Sequence, residues 1–300
     1  MVPYISGSLS ARLFGWSAIF LSTFFFYFAT VVIRLAEGEV EITTSYFAFF
    51  RFALGFLVVS VVMAFQKTPP RPKNIHYLLG RTFGNTIAVY CFYQAAALGS
   101  VAEANILNMT YPIFVALASW FVFRAQRDIK AIAYVVLACL GVWLILAPEG
   151  GVVIGVANIW GLVSGIMAAV AIIYLNLCRI EHDSNTILFF LFGLGSIFMF
   201  FFFHEDIFIP NTKELYYLLL CGLPGIIGQY LLTYGFRFVT AVEGSILSSS
   251  RILLAALLGP VLIGEAMITT IGWLGALCIF AANVGLALSK HKKSVIKKRH

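Results

Sequence analysis

Ten stretches of this 300-residue chain are apolar over about the 20 residues a helix needs to cross the hydrocarbon core of a bilayer, and no other feature limits its fold so strongly. They are residues 13–33, 46–65, 77–98, 104–122 and 129–147, followed by 159–178, 187–203, 215–234, 242–263 and 271–288. In lipid no water satisfies an open backbone, so each run must close its own hydrogen bonds as a helix, and sheets with free edges are excluded. Composition excludes the soluble alternative, because only 11% of residues are charged, against about 25% in a typical soluble domain. The expected fold class is an all-α integral membrane protein with ten transmembrane helices. The first run is of spanning length and lacks a convincing small-residue cleavage pattern, so it reads as a helix and not as a signal peptide.

Orientation follows from the basic residues. Fifteen of the twenty Lys and Arg fall in alternate segments beginning with the amino terminus, only Arg34 and Lys213 fall in the other set, and Arg51, Arg81 and Arg251 lie inside the runs. The positive-inside bias then places both termini in the cytoplasm, as an even helix number requires. The net charge of +7 is spread over short connections and a tail at 290–300. That distribution reads as orientation and lipid contact, not as a nucleic-acid footprint. The five cysteines lie within apolar runs at no metal-ligand spacing and are expected to be reduced packing residues.

The chain also resembles itself. Shifted by 140 positions, residues 49–117 align with 189–257 without a gap, and the weight rests on Pro70/Pro210, Lys73/Lys213, Tyr77/Tyr217, Tyr90/Tyr230 and Glu103/Glu243. Five runs per copy is an odd number, so the second copy enters the membrane from the opposite side. The expected organisation is two inverted five-helix repeats, 1–148 and 149–289, with a basic cytoplasmic tail at 290–300. Secondary transporters recurrently use this plan, with the substrate site near mid-membrane between the copies.

Several stretches resemble the drug/metabolite transporter superfamily, and in particular its EamA-type ten-helix carriers. They are Phe49-Phe50-Arg51-Phe52, Ala95 to Pro112, Asn158-Ile159-Trp160-Gly161 and Gly264-Glu265. The resemblance covers nearly the whole chain and implies a central cavity lined by runs 3 and 4 of one half and 8 and 9 of the other. In one respect the chain departs from the family pattern: Arg124-Ala125-Gln126 stands where the first half should carry an acid after run 4, leaving that role to Glu265.

A charge at the bilayer centre costs at least about 2.5–3.5 kcal/mol on insertion scales, so ionisable residues inside the runs are candidates for function. Arg251 lies ten residues into run 9, about 15 Å deep. Its counterpart is Tyr111, so a structural need shared by both halves does not explain it. It is expected to bind an anionic substrate group through its guanidinium fork; the competing reading is an anchor to carbonyls exposed by a broken helix. Arg51, whose counterpart is Leu191, is expected to serve an interhelical structural role away from the cavity wall. Arg81 near the start of run 3 is expected to snorkel, although with Thr82 and Asn85 on adjoining turns it forms a polar patch that must face protein or water, which makes run 3 an expected cavity wall.

Substrate contact is further expected from Tyr111, Asn85, Asn108, Ser248, Tyr90, Tyr230 and Gln229, with the run Ser248-Ser249-Ser250 matching Asn108-Met109-Thr110. Interior hydrogen bonding and aromatic packing compete with that reading. Glu103 and Glu243 each open a helix, where the macrodipole alone favours a carboxylate; on opposite faces they also suit paired gates. Pro112 in run 4, and Pro224 with its neighbouring glycines in run 8, are expected to bend those helices beside the cavity.

No Asp, Glu or His lies deep in a run and no P-loop is present, which argues against an intramembrane enzyme and against ATP-driven transport by this chain. The reading is a secondary transporter of a small polar or amphipathic metabolite, working by alternating access. The resemblance suggests amino acids and related compounds, with a nucleotide-derived cofactor such as S-adenosylmethionine, or a non-transporting scaffold, as alternatives. The expected partners are a small-molecule substrate and the lipid bilayer, with no nucleic acid and no cofactor; a homodimer is left open. The expected location is a bacterial inner membrane.

Overall fold

The computed structural model describes residues 9–122, 129–146, 155–238, 241–264 and 266–297. All regular structure among them is helical: α1 (Leu9–Ala36), α2 (Thr44–Gln66), α3 (Ile75–Leu98), α4 (Val101–Asn108), α5 (Tyr111–Val122) and α6 (Ile129–Leu146). The second half holds α7 (Val156–Glu181), α8 (Ser184–Phe203), α9 (Thr212–Gly235), α10 (Ala241–Ile263) and α11 (Thr270–Lys297). Residues 13–36, 44–66, 156–181, 184–206 and 212–235 are long and apolar enough to cross a membrane. Helix α3 matches them in length, but Arg81, Thr82, Asn85 and Thr86 interrupt its hydrophobicity. Large apolar side chains such as Phe65, Phe201 and Val261 point outward, as a lipid-facing surface requires.

Run 4 is the one that breaks. Pro112 cannot donate a backbone hydrogen bond one turn back, and α4 gives way to α5 at Met109-Thr110. The freed acceptors find partners: Thr110 Oγ1 donates to the Leu107 carbonyl at 2.6 Å, and Asn283 Nδ2 of α11 donates to the Met109 carbonyl at 2.9 Å. Helix α9, in contrast, runs uninterrupted through Pro224. The final helix continues beyond the apolar run into the basic segment, as far as Lys297.

Helix starts repeat across the halves. Thr43 accepts from the Tyr46 backbone N–H at the start of α2, and Asp183, at the equivalent position, accepts from the Thr186 N–H at the start of α8. Each caps its helix with a side-chain oxygen. Interfaces repeat as well: α3 packs on α7 as α9 packs on α1, α2 packs on α9 as α8 packs on α3, and α2 pairs with α8 and α6 with α11.

Contacts along these pairs set the helix directions. Ser45 at the start of α2 bonds Asp206 beyond the end of α8, while Asn185 at the start of α8 donates to Gln66 at the end of α2. The equivalent helices α2 and α8 are therefore antiparallel. In α6 and α11, Tyr134 meets Gly285 and Ile145 meets Gly275, again antiparallel, and a Cβ on Gly141 would stand 2.6 Å from the Gly275 carbonyl oxygen. Only glycine permits that backbone approach.

Candidate functional site

Between the halves lies a cavity of about 100 Å³. At roughly 10–15 Å³ of such volume per water, it has room for about seven to ten waters, the scale of a small metabolite. Helices α3, α4, α5, α9 and α10 contribute to its wall, as expected for runs 3, 4, 8 and 9. Three more helices join them: α1 through Ser22, Thr23 and Phe26, α2 through Arg51, and α7 through Ala168, Ala171 and Ile172. On α3 the lining residues Arg81, Asn85, Ala88 and Phe92 form one stripe, because spacings of three and four fall on a single helix face.

Arg251 is 5% exposed, and its guanidinium lies 5.0 Å from the centre of the Phe92 ring and 6.0 Å from that of Phe26. Both distances suit cation–π attraction. Its Nη2 donates to Asn108 Oδ1. Asn108 in turn donates from Nδ2 to Ser164 Oγ at 2.9 Å, and that hydroxyl donates to the Gly161 carbonyl at 2.7 Å. The break between α4 and α5 thus ends in an asparagine clamped between α7 and α10. Arg251 engages this side chain, while the Met109 carbonyl goes to Asn283; among the described residues, the guanidinium reaches the broken segment through a side-chain amide and not a backbone carbonyl.

The two other intramembrane arginines correct the sequence reading. Arg51 does bridge helices, donating from Nη1 to the Tyr93 hydroxyl at 3.1 Å, but it also lines the cavity, 3% exposed, with Phe26 at 5.4 Å. It turns inward because α9 presents Gly225, whose absent Cβ would stand 2.8 Å from Arg51 Cδ. Arg81 does not snorkel. It is 2% exposed and lines the cavity, and its Nε has no hydrogen-bond partner among the described residues. The ion pairs formed by described residues, Arg34 with Glu37 and Lys213 with Glu39, lie at the connections. None of the three cavity guanidiniums has a carboxylate at ion-pair distance among the described residues.

Of the other expected contacts, Asn85, Asn108, Tyr111, Gln229 and Ser248 reach the cavity. Tyr90 and Tyr230 do not. Tyr90 packs edge-on to Trp160, 5.7 Å away, and near Phe203 at 4.8 Å; Tyr230 stacks on Tyr234 at 6.3 Å, and Tyr234 donates to Asn185. Aromatic packing claims both: Tyr90, two residues from Ala88 and from Phe92, and Tyr230, next to Gln229, point off the lining faces of their helices. Glu103 is half-buried in the first turn of α4, where Ser100 accepts its backbone N–H at 3.2 Å. Glu243 is the third residue of α10; its side chain, Glu265 and residues 124–126 lie outside the described parts. Sequence reasoning missed Asn283, whose signal was a lone amide in an otherwise apolar run, and the lining contributed by Ser22, Thr23 and Phe26.

A largely apolar chamber carrying three guanidiniums, among helices several of which are long and apolar enough to span a bilayer, defines a multi-pass membrane protein of the transporter class. The pattern of the EamA-like transporter family matches residues 13–147 and again 155–288, and the chain belongs to that family. Among curated relatives, the pseudopaline exporter CntI of Pseudomonas aeruginosa is 26% identical over 218 residues, covering 72% of this chain and 76% of the exporter. An uncharacterized transporter of Helicobacter pylori is 28% identical across 95% of this chain and 98% of its own. Human solute carrier family 35 member G1 is 23% identical across 91% and 79% respectively. A crystal structure covering 93% of this chain and 96% of its own superposes with a TM-score of 0.60 at 20% identity, a likeness of fold alone.

Proposed function

We propose that the protein is a secondary carrier that moves a small polar metabolite, an amino acid or related compound bearing an anionic group, by alternating access. Its ten membrane passes divide at residues 148 and 149 into two five-helix copies of opposite orientation, and the cavity between them holds the substrate. The observation that carries this reading is the set of three buried guanidiniums, Arg51, Arg81 and Arg251, on one cavity between the halves of a transporter-family chain. The antiparallel course of α2 and α8, linked at both ends by equivalent residue pairs, supports the inverted arrangement. With the basic connections cytoplasmic, both termini face the inside of a bacterial inner membrane. Glu103 and Glu243 are assigned as paired gates at opposite faces.

Arg251 would engage the substrate anion with the nitrogens not committed to Asn108, while Asn85, Gln229, Tyr111 and Ser248 complete the polar lining. Purified protein reconstituted into liposomes tests the reading. Uptake of radiolabelled metabolites should saturate and should accelerate when unlabelled substrate is preloaded inside. Linear flux without such counterflow would identify a channel, and no flux with any metabolite would leave a scaffold.

A further inference from the structure

Three like charges on one small cavity, with only neutral partners among the described residues, define the cargo more narrowly than one arginine does. Arg51 and Arg251 face the same Phe26 ring, at 5.4 and 6.0 Å, and bond to the neutral Tyr93 hydroxyl and Asn108 amide. Their mutual repulsion is not offset by those contacts. Arg81 lies three turns back from Phe92 along the α3 stripe, with Asn85 between them and its own Nε without a hydrogen bond. Buried charges are ordinarily paired, and a guanidinium is too basic to escape by losing its proton. A monoanion would leave two of these three cations unmatched.

We infer that the cargo carries at least two negative charges at neutral pH, as a di- or tricarboxylate or a phosphate monoester does. One anionic group is held at Arg51 and Arg251, and a second is drawn toward Arg81 and Asn85. The inference rests on the carrier reading and names its substrate class.

The test is a charge series on the full-length protein in detergent, melted with butyrate, succinate, tricarballylate or glycerol 3-phosphate at constant ionic strength. Succinate and tricarballylate distinguish carboxylate recognition from the phosphate recognition that glycerol 3-phosphate reports. The melting temperature should rise with at least one polyanion and not with butyrate. In Arg51→Gln and Arg81→Gln the preference for the polyanion should fall roughly tenfold, the loss of one charge-assisted hydrogen bond. Equal shifts for butyrate and succinate, no shift with any of the four anions, or unchanged preference in both folded variants would overturn the inference. If a variant does not fold, the wild-type series decides alone. Liposome counterflow separates the two claims. Exchange of a neutral or cationic metabolite, with none of any polyanion, rejects the polyanion and keeps the carrier; polyanion-dependent melting without flux of any solute rejects the carrier and keeps the site.

Discussion

Two corners of the bundle occupy equivalent places in the repeat, one where α2 meets α9 and one where α8 meets α3. At the first, the guanidinium comes from α2 as Arg51, and α9 makes room with Gly225, while Cys221 one turn before it donates to the same Tyr93 hydroxyl. At the second, α8 carries Leu191 and α3 supplies Arg81 and Asn85, the counterparts of Cys221 and Gly225. Each corner thus brings one guanidinium to the cavity, from a different helix, about 10 Å along Arg51's or Arg81's helix from its start. The comparison teaches that the repeat keeps a cation at each corner while the residue number that carries it changes. Position-by-position matching of the two halves therefore conceals it.

The largest effect is expected where this corner logic ends, at the unpaired position 251. Arg251→Ala should lower liposome transport about 100-fold or more, since a charge-assisted contact contributes about 1.5–3 kcal/mol and a second group is lost to the cargo. Arg251→Lys, which keeps the charge and loses the fork, should retain part of the rate. Transport at wild-type level in Arg251→Ala would remove the central station from the comparison.

The corners can also be made alike. Gly225→Asn should destabilise the protein by about 1–3 kcal/mol, because the new side chain overlaps Arg51. Adding Arg51→Leu reproduces the Leu191/Asn85 pairing and should recover part of that loss in a double-mutant melting cycle. Additive losses would show that the two corners are not interchangeable. Next, Asn283→Leu strips the Met109 carbonyl of its donor and should cost about 1–3 kcal/mol, read as a lower melting temperature.

The smallest effects concern the paired caps. Thr43→Ala and Asp183→Ala should each cost about 1 kcal/mol, but only the second site should respond to pH. Partial burial raises the Asp183 pKa, but hydrogen bonds from the Thr186 hydroxyl and from backbone N–H groups outweigh it and hold the carboxyl below its ordinary 3.8. With a depressed folded value, its contribution is complete at neutral pH and is lost as pH falls through that lowered value. Acid melting curves of Asp183→Thr should lack this component; an unchanged acid dependence would assign it to another group.

Much of the fold was legible because spanning length is written in hydrophobicity alone, and the break in run 4 was legible because Pro112 lacks an N–H. Arg251 stood out for its depth. The faces of the helices were harder to read. Lipid and protein interior are equally apolar, so hydrophobicity does not say which side of α1, α2 or α7 turns inward. Arg51 and Arg81 sit near helix starts, which suggested packing and snorkelling; Gly225, across the bundle, is what leaves room for Arg51 to turn toward the cavity. Tyr90 and Tyr230 matched across the repeat, yet shared ancestry of position marks equivalent packing as readily as shared contact with cargo.

The unequal substitutions 51/191, 81/221 and 111/251 also bear on the resting state. Two identical copies, turned over on each other, would give the inward and outward poses the same energy. Exchanging these halves does not return the same charges to the same places, so under the proposed cycle the empty protein leans toward one pose. That lean, written into three residue pairs, sets which face waits open for the next passenger.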